Sequence, residues 1–512
     1  MRKSLLLAFF SAAYLLPLEP PSPERALIND NRKPAGTFRD GVLTLELEAR
    51  VTEWHPDADD GPGVDVHAFA EAGKRAQIPG PLIRVPAGTV VNVAIRNAVP
   101  NTTLIVHGFS ADSIRVAFND KQRTSLRLDK PGTYYYWGTT SGRRLGARLH
   151  EDAQLTGAIV VDPPGASFGS LPRDRILMIA MMADTFGTEF RRGDREHLLF
   201  VINGRSWPNT ERLTYQMSDT IRWRVLNVSA DPHPMHLHGT YYSVETISDG
   251  TRDSTIAAGD RPFVNTWIVS PGRAITMSWV PEHPGNWLFH CHVPEHFGAR
   301  GPLGTLPAAN GHRGHNIANH ALQGMNGLVM GVTVLGDDRI AADYSNRRRI
   351  RLLLSSNRSS SSEVPLYGFA LNDNGRELAV DSSVRGGPPI TLERGKPVGI
   401  MVVNESDEPT AIHWHGIELE SYFDGVAGFS GIEKRLSPVI AARDSFEARF
   451  TPPRAGTFMY HTHVDEDRQQ RGGLSGLLLV LEPGQRFDAV KDIPILVSSP
   501  SSLDTVATHV LM

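Results

Sequence analysis

Three stretches of this 512-residue chain share one plan, and that plan limits the fold more than any single strand does. They are PLIRVPAGTVVNVAIRNAVPNTTLIVHGFS (81–110), ERLTYQMSDTIRWRVLNVSADPHPMHLHGTY (211–241) and PITLERGKPVGIMVVNESDEPTAIHWHGIE (389–418). Each reads as a β-branched strand, a turn, an alternating strand with Asn near its end, a polar loop, and a strand ending in His-Gly. The second halves repeat too: DKPGTYYYWGTT (129–140), PEHPGNWLFHCHV (281–293) and PPRAGTFMYHTHV (452–464). Each copy closes on a similar strand: LTGAIVVDPPG (155–165), MNGLVMGVTVLG (325–336) and LSGLLLVLEPG (474–484). Short strands at this spacing, broken by Gly and Pro, predict an all-β chain of Greek-key β-sandwich or barrel domains. The length prior is about three domains of roughly 150 residues. Residues 36–165, 166–340 and 350–485 are the expected units. A tail, 486–512, contains a strand-like run, DIPILVSSP (492–500), expected to pack on the body.

Residues 1–18 (MRKSLLLAFFSAAYLLPL) have two cations before a short apolar run, which reads as a signal peptide. Export is therefore expected, to a periplasm or the extracellular space, with no stable membrane insertion after removal of the leader. Lys+Arg 52 against Asp+Glu 56 is close to balance and argues against a nucleic-acid partner. A monomer is expected. The single cysteine, Cys291, excludes an internal disulfide.

Cys291 lies in NWLFHCHVPEHF (286–297), between His290 and His292 and five residues before His296. Thiolate is a soft ligand and imidazole a borderline one, so two histidines, the cysteine and a weak methionine suit a one-electron copper site. Neighbouring side chains on a strand point to opposite faces, so His290 and His292 face away from Cys291 and are free for a second centre. The second copy adds His233, His236 and His238 (HPMHLHG), and the third adds His413 and His415 (HWHG) and His461 and His463 (YHTH). One His-x-His pair alone is an ordinary polar strand face or a zinc site. Four pairs at the same two points of a repeated fold are not. The first copy keeps only His107 at these points, with aromatic residues at the other. The fold itself therefore does not require the histidines.

Together HPMHLHG, HCHVPEH, HWHG and HTH resemble the four-motif signature of the multicopper oxidases, the laccase-like family, over nearly the whole chain after the leader. The resemblance implies three cupredoxin-like domains and four coppers. His233, Cys291 and His296 would hold a type 1 copper, and His236 and His413 a type 2 copper. His238, His290, His292, His415, His461 and His463 would hold a type 3 pair. It also implies a small reducing substrate, phenols or aromatic amines by default, and reduction of dioxygen to water. Oxidation of ferrous, manganous or cuprous ions is the alternative. A copper nitrite reductase and a non-catalytic exported scaffold are more distant ones. Asp424 in ESYFDGVAGFSG matches a family acid near the type 2 copper and is a candidate proton relay, although Asp-Gly is also ordinary turn chemistry. Glu295 and Asp465 are weaker candidates for that role.

The chain departs from the family twice. The metal-free copy comes first, the cysteine copy second and the HWHG/HTH copy third, a cyclic shift of the laccase order that a closed three-domain ring tolerates. The axial position, five beyond His296, is Gly301, which cannot coordinate. Aligning MNGLVMG with LTGAIVV and LSGLLLV puts Met325 level with Leu155 and Leu474 and makes it the axial candidate. The segment 298–324 is then an inserted loop. His320, five residues before Met325, is a rival to His296. His312 and His315 are expected to be solvated loop residues or a regulatory metal site.

Overall fold

A computed structural model describes residues 23–168, 174–184, 197–298, 303, 320–337, 343–357, 366–373, 376–378, 386–488, 490–498 and 507–510. The leader, Gly301, His312 and His315 lie outside the described residues. The chain is all-β, and its three copies use one pair of sheets each. Six strands carry the site: β1 (His233–Leu237), β2 (Gly285–Cys291), β3 (Val329–Leu335), β4 (Ile412–His415), β5 (Gly456–Thr462) and β6 (Ser475–Leu481).

One sheet has the same strand order in every copy. In the first it runs Ile83–Pro86, Thr156–Asp162, Gly132–Thr139, Thr103–His107; in the second Leu213–Gln216, β3, β2, β1; in the third Gly387–Glu393, β6, β5, β4. The first two strands are parallel and the others antiparallel each time. The facing sheet also repeats: Val42–Trp54 beside Thr89–Asn97, Arg175–Asp184 beside Ile221–Asn227, and Arg348–Asn357 beside Val398–Asn404 are its parallel central pairs. Apolar side chains of the two inward faces fill the space between, as strand alternation requires. In the second copy these include Trp223, Val225, Met235, Leu237, Phe289, Cys291 and Met330.

The copies are joined to one another. The third copy's Gly431–Ile432 pairs with β2 at Asn286, and the Ser421 hydroxyl donates to the Asn286 carbonyl at 2.7 Å. Between the first and second copies, Asp174 takes Arg84 and Arg224, each at 2.6 Å. The tail strand Ile495–Ser498 pairs with Ala507–Val510, and Leu496 packs on Leu477. Among the described residues no helix is long and apolar enough to cross a membrane.

Register corrects one expectation from the repeat. His290 pairs with Val329, Trp137 with Thr156 and His461 with Ser475. The residue level with Leu155 and Leu474 is therefore Leu328, whose carbonyl accepts from Cys291 N–H as theirs do from Gly138 and Thr462. The alignment through Met-Asn-Gly slips by three because matching glycines do not share a register. Met325 instead forms a bridge with Gly298, two residues beyond His296, and is buried beside Phe297.

Candidate metal centre

Strand alternation sorts the second copy's candidate ligands onto two faces. On β1, His233 is the first strand residue rather than a loop residue, and it shares the inward face with Met235 and Leu237. His236 points the other way. On β2, Cys291 faces inward with Phe289, and His290 faces outward. Met235 pairs with Cys291 and His236 with His290, so each face carries a matched set. In the third copy, Trp414 and Tyr460 pack inward, and the pair of His413 and His461 lies on the opposite face.

On the inward side, Cys291 Sγ lies 3.6 Å from His233 Nδ1 and 3.4 Å from His296 Nδ1, and the two nitrogens are 3.1 Å apart. His296 comes from a single helical turn, α1 (Pro294–Phe297), which bends the chain back over the cysteine. His320, the rival, is not in this group. It is buried near His463 and Glu466. The ring of Phe200 packs 4.3 Å from that of His296. The Ser229 hydroxyl lies 2.7 Å from His233 Nε2 and closes its outer edge. A metal at the roughly 2.0–2.3 Å usual for imidazole and thiolate fits between donors so spaced. Burial pushes the Cys291 thiol up to about 12, and burial with the neighbouring His296 pushes His233 down to about 3. His233 is thus ready as a neutral ligand, and a bound cation would displace the thiol proton.

On the outward side, His236, His238, His290, His292, His413, His415, His461 and His463 form one cluster between the second and third copies, buried except at the part-exposed His292 and His415. His236 Nε2 and His413 Nε2 face each other at 3.4 Å, and His238 Nε2 faces His290 Nε2 at 2.9 Å. Their outer nitrogens are held by acceptors, as metal-binding imidazoles require. His236 Nδ1 is 2.9 Å from the Asn265 carbonyl, His290 Nδ1 2.8 Å from the Cys291 carbonyl, and His461 Nδ1 2.7 Å from the Thr462 carbonyl. The buried Nε2 atoms of His292 and His461 have no hydrogen-bond partner among the described residues. A buried lone pair of this kind is costly unless something else binds it. Burial first, then the neighbouring imidazoles, lower His236, His238, His290, His415 and His461, and His292 falls to about 4. The donor set therefore fits copper on both faces.

Three acids were read from the sequence, and they occupy different places. Asp424 is fully buried; its Oδ2 lies 2.8 Å from His238 Nδ1 and accepts from Ser430, and its carbonyl is 2.8 Å from His413 Nδ1. It ties a second-copy histidine to a third-copy one. The turn chemistry is also there: a Cβ at Gly425 (φ 91°) would meet the Ile412 carbonyl at 2.0 Å. Glu295 is exposed and pairs with Arg471. Asp465 pairs with Arg468 at 2.7 Å, away from the cluster. Besides Asp424, a second acid meets the cluster, the next residue along, Glu466, which the sequence reading missed. At 3% exposure it lies 3.0 Å from His463 Nδ1. Burial works against the His463 charge, but the carboxylate outweighs it and holds the imidazole above its ordinary value. A signal was present: His-Val-x-Glu follows the same step in both copies, at His292–Glu295 and His463–Glu466.

Residues 178–300 and 376–485 match two family models, both described as multicopper oxidase. With a thiolate–imidazole site on one face of a strand pair and a histidine cluster on the other, the chain belongs to the multicopper oxidase family. It is 27% identical over 303 residues to a probable nitrite reductase–hydroxylamine oxidoreductase fusion protein of Kuenenia stuttgartiensis, covering 54% of this chain and 32% of that one. It is 35% identical over 101 residues to a multicopper oxidase of Staphylococcus aureus, covering 19% and 22%. The chain thus spans about a third or less of the length of these relatives. Among solved structures, the blue copper oxidase of Nitrosomonas europaea is similar at a TM-score of 0.43 and 19% identity, covering 57% of this chain and 85% of that one.

Proposed function

We propose that the protein is an exported, laccase-like oxidase holding four coppers, which couples one-electron oxidation of a small reductant to reduction of dioxygen to water. The observation that carries this reading is the pairing of His236 with His290 beside Met235 with Cys291, which puts two donor sets back to back on one strand pair. His233, Cys291 and His296 would bind the type 1 copper, with Met325, in the segment bridged to Gly298, as a further candidate ligand. His236 and His413 would bind the type 2 copper. His238, His290, His292, His415, His461 and His463 would bind the type 3 pair. Copper, when bound, supplies the one-electron acceptor at the first site and the four-electron reductant of dioxygen at the second.

The remaining work falls to the chain itself. Cys291 and His290 are covalent neighbours, and the hydrogen bond from His290 Nδ1 to the Cys291 carbonyl gives a second short connection between the sites. Asp424 orients His238 and His413 and is the acid through which protons would reach the second site. Domains at 36–165, 166–340 and 350–485, in cyclically shifted order, put the cluster between the second and third. The default donors are phenols and aromatic amines, and oxidation of metal ions is the alternative. Similarity to the probable nitrite reductase–hydroxylamine oxidoreductase fusion protein of Kuenenia makes nitrite a second acceptor to test.

Copper reconstitution, visible spectroscopy and an oxygen electrode test the reading. An intense blue band, about four coppers per chain and dioxygen uptake with an aromatic donor are expected. A colourless copper-loaded protein overturns the type 1 assignment. A blue protein that reduces nitrite and consumes no dioxygen overturns the oxidase assignment.

A further inference from the structure

The second copy has the longest connection between its paired strands, from Cys291 at the end of β2 to Val329 at the start of β3; the matching steps are Thr139 to Thr156 in the first copy and Thr462 to Ser475 in the third. Near its end stands a single helical turn, His320–Gly324. The turn is anchored on both sides. Trp207 Nε1–H donates to the Ala321 carbonyl at 2.6 Å, and Met325 bridges to Gly298. Ala321 and Met325 pack with Trp207, Phe297 and Leu288 of the second copy and Val426 of the third. Gly324 is required by a close approach, because a Cβ there would lie 2.3 Å from His320 Nδ1. These anchors fix the buried His320 ring 5.9 Å from that of His463 and nearly perpendicular to it.

His320, His463 and Glu466 each bring one donor atom within 4.8 Å of the others, and all three residues are buried. His463 Nδ1 faces Glu466 Oε1 at 3.0 Å, yet the contact lacks the alignment of a hydrogen bond, and neither atom has a hydrogen-bond partner among the described residues. Among the described residues no Lys or Arg pairs with Glu466. A buried carboxylate is costly unless a cation meets it. Glu295, at the same step after His292, shows the ordinary solution: it stays exposed and takes Arg471. Glu466 is instead turned inward at Asp465 (φ 50°), toward two imidazoles. The donors of His233, Cys291 and His296 gather with similarly open spacing, at 3.1, 3.4 and 3.6 Å.

We propose that His320, His463 and Glu466 form a further metal site, for a divalent ion of the zinc class, joined to the histidine cluster through the shared ring of His463. Two imidazoles and a carboxylate, with a fourth place open, are a usual donor set for such an ion. His463 turns Nδ1 to Glu466 and also groups with His238 and His290, so its two ring nitrogens serve one centre each. On binding, the ion takes the place of the imidazole proton, which leaves to solvent. The connection from β2 to β3 thus adds, through His320, a place where an ion other than copper bears on the cluster.

The test uses the copper-loaded full chain, freed of excess copper, equilibrated with zinc sulfate alone and desalted. Metal content by mass spectrometry and zinc-edge X-ray absorption are the readouts. About one zinc per chain is expected beside about four coppers, with imidazole nitrogen and carboxylate oxygen at the roughly 2.0–2.2 Å usual for zinc. His320→Gln should weaken zinc binding by more than the about 10–100-fold that loss of an outer partner costs, with the copper content and the type 1 band kept. Glu466→Gln should lose the zinc as well, and it reads the site if His320→Gln does not fold. A wild type that retains no zinc overturns the proposal. So does zinc retained equally by both variants, which is an adventitious ion only, and so does zinc that rises as copper falls, which places it in the cluster. A colourless copper-loaded protein that still holds one zinc through His320 would sink the oxidase reading and leave this site standing.

Discussion

The first and second copies share a sheet, a strand order and a register, yet only one carries a metal-binding face. Where β1 and β2 pair His236 with His290, the first copy pairs His107 with Trp137, and the two rings stack 4.0 Å apart. Seven residues beyond the glycine that opens the strand (Gly132, Gly285, Gly456), the second and third copies have His292 and His463 and the first has Thr139. The Thr139 hydroxyl donates to Asp152 at 2.7 Å, and the Arg148 guanidinium sits 5.1 Å over the Trp137 ring. The frame is thus indifferent to what its outward face presents. The histidines are held by it but do not build it.

The sharpest way to break the comparison is at the one residue with no counterpart. Gly138 and Thr462 stand level with Cys291 in the other two copies, their N–H groups bonding Leu155 and Leu474 as Cys291 N–H bonds Leu328. Cys291→Ser should keep the fold and the outward cluster but remove the thiolate. We expect loss of the blue band, a fall from about four coppers per chain to about three, and oxidase activity reduced to background. A variant that stays blue by visible spectroscopy would show that another sulfur serves the site.

A smaller effect separates two adjacent acids. Glu466→Gln leaves His463 Nδ1 without its carboxylate, and loss of such a partner typically weakens metal binding by about 10–100-fold. Asp465→Asn removes the charge that pairs with Arg468 and should leave copper affinity unchanged. Copper competition with a chelator measures both. Equal losses would show that the whole turn, and not the Glu466 carboxylate, supports the cluster.

These two acids also mark where sequence reading stops. Fold class and the grouping of donors were legible because period-2 alternation and the threefold repeat turn linear spacing into a face and a register. The four His-x-His pairs needed nothing more, whereas the set of His233, Cys291 and His296 came from the resemblance to the multicopper oxidases and left His320 as a rival. Met325 was misaligned by three residues because a glycine match carries no register information, whereas the hydrogen bond from Cys291 N–H to the Leu328 carbonyl does. Glu466 was passed over for Asp465 because the chain turns sharply there: Asp465 has φ 50°, which swings the next side chain inward. No spacing rule shows that swing. His320 sits beside Glu466 rather than Cys291 because a short sequence distance to Met325 says nothing about how a long insertion returns.

The smallest expected effect is the most direct test of whether a shared frame suffices for a metal face. Trp137→His with Thr139→His would give the first copy the spacing of β2 and β5, alongside the resident His107. We expect no added copper. Arg148 is buried, and its Nη1 is tied to the carbonyls of Gly138 and Asp152, so its charge cannot swing away. Burial lowers it only to about 10, so it stays cationic at neutral pH, and a second cation brought within a few ångströms is repelled. The first copy also lacks a third copy's face opposite, which supplies His413 and His415 to the second. Losing the contact between Arg148 and the Trp137 ring should cost about 0.5–2 kcal/mol, read as a lower denaturation midpoint of the double variant. Copper analysis of that variant decides the matter. A fifth copper per chain would mean that strand register alone makes the site, and that Arg148 is no barrier to it.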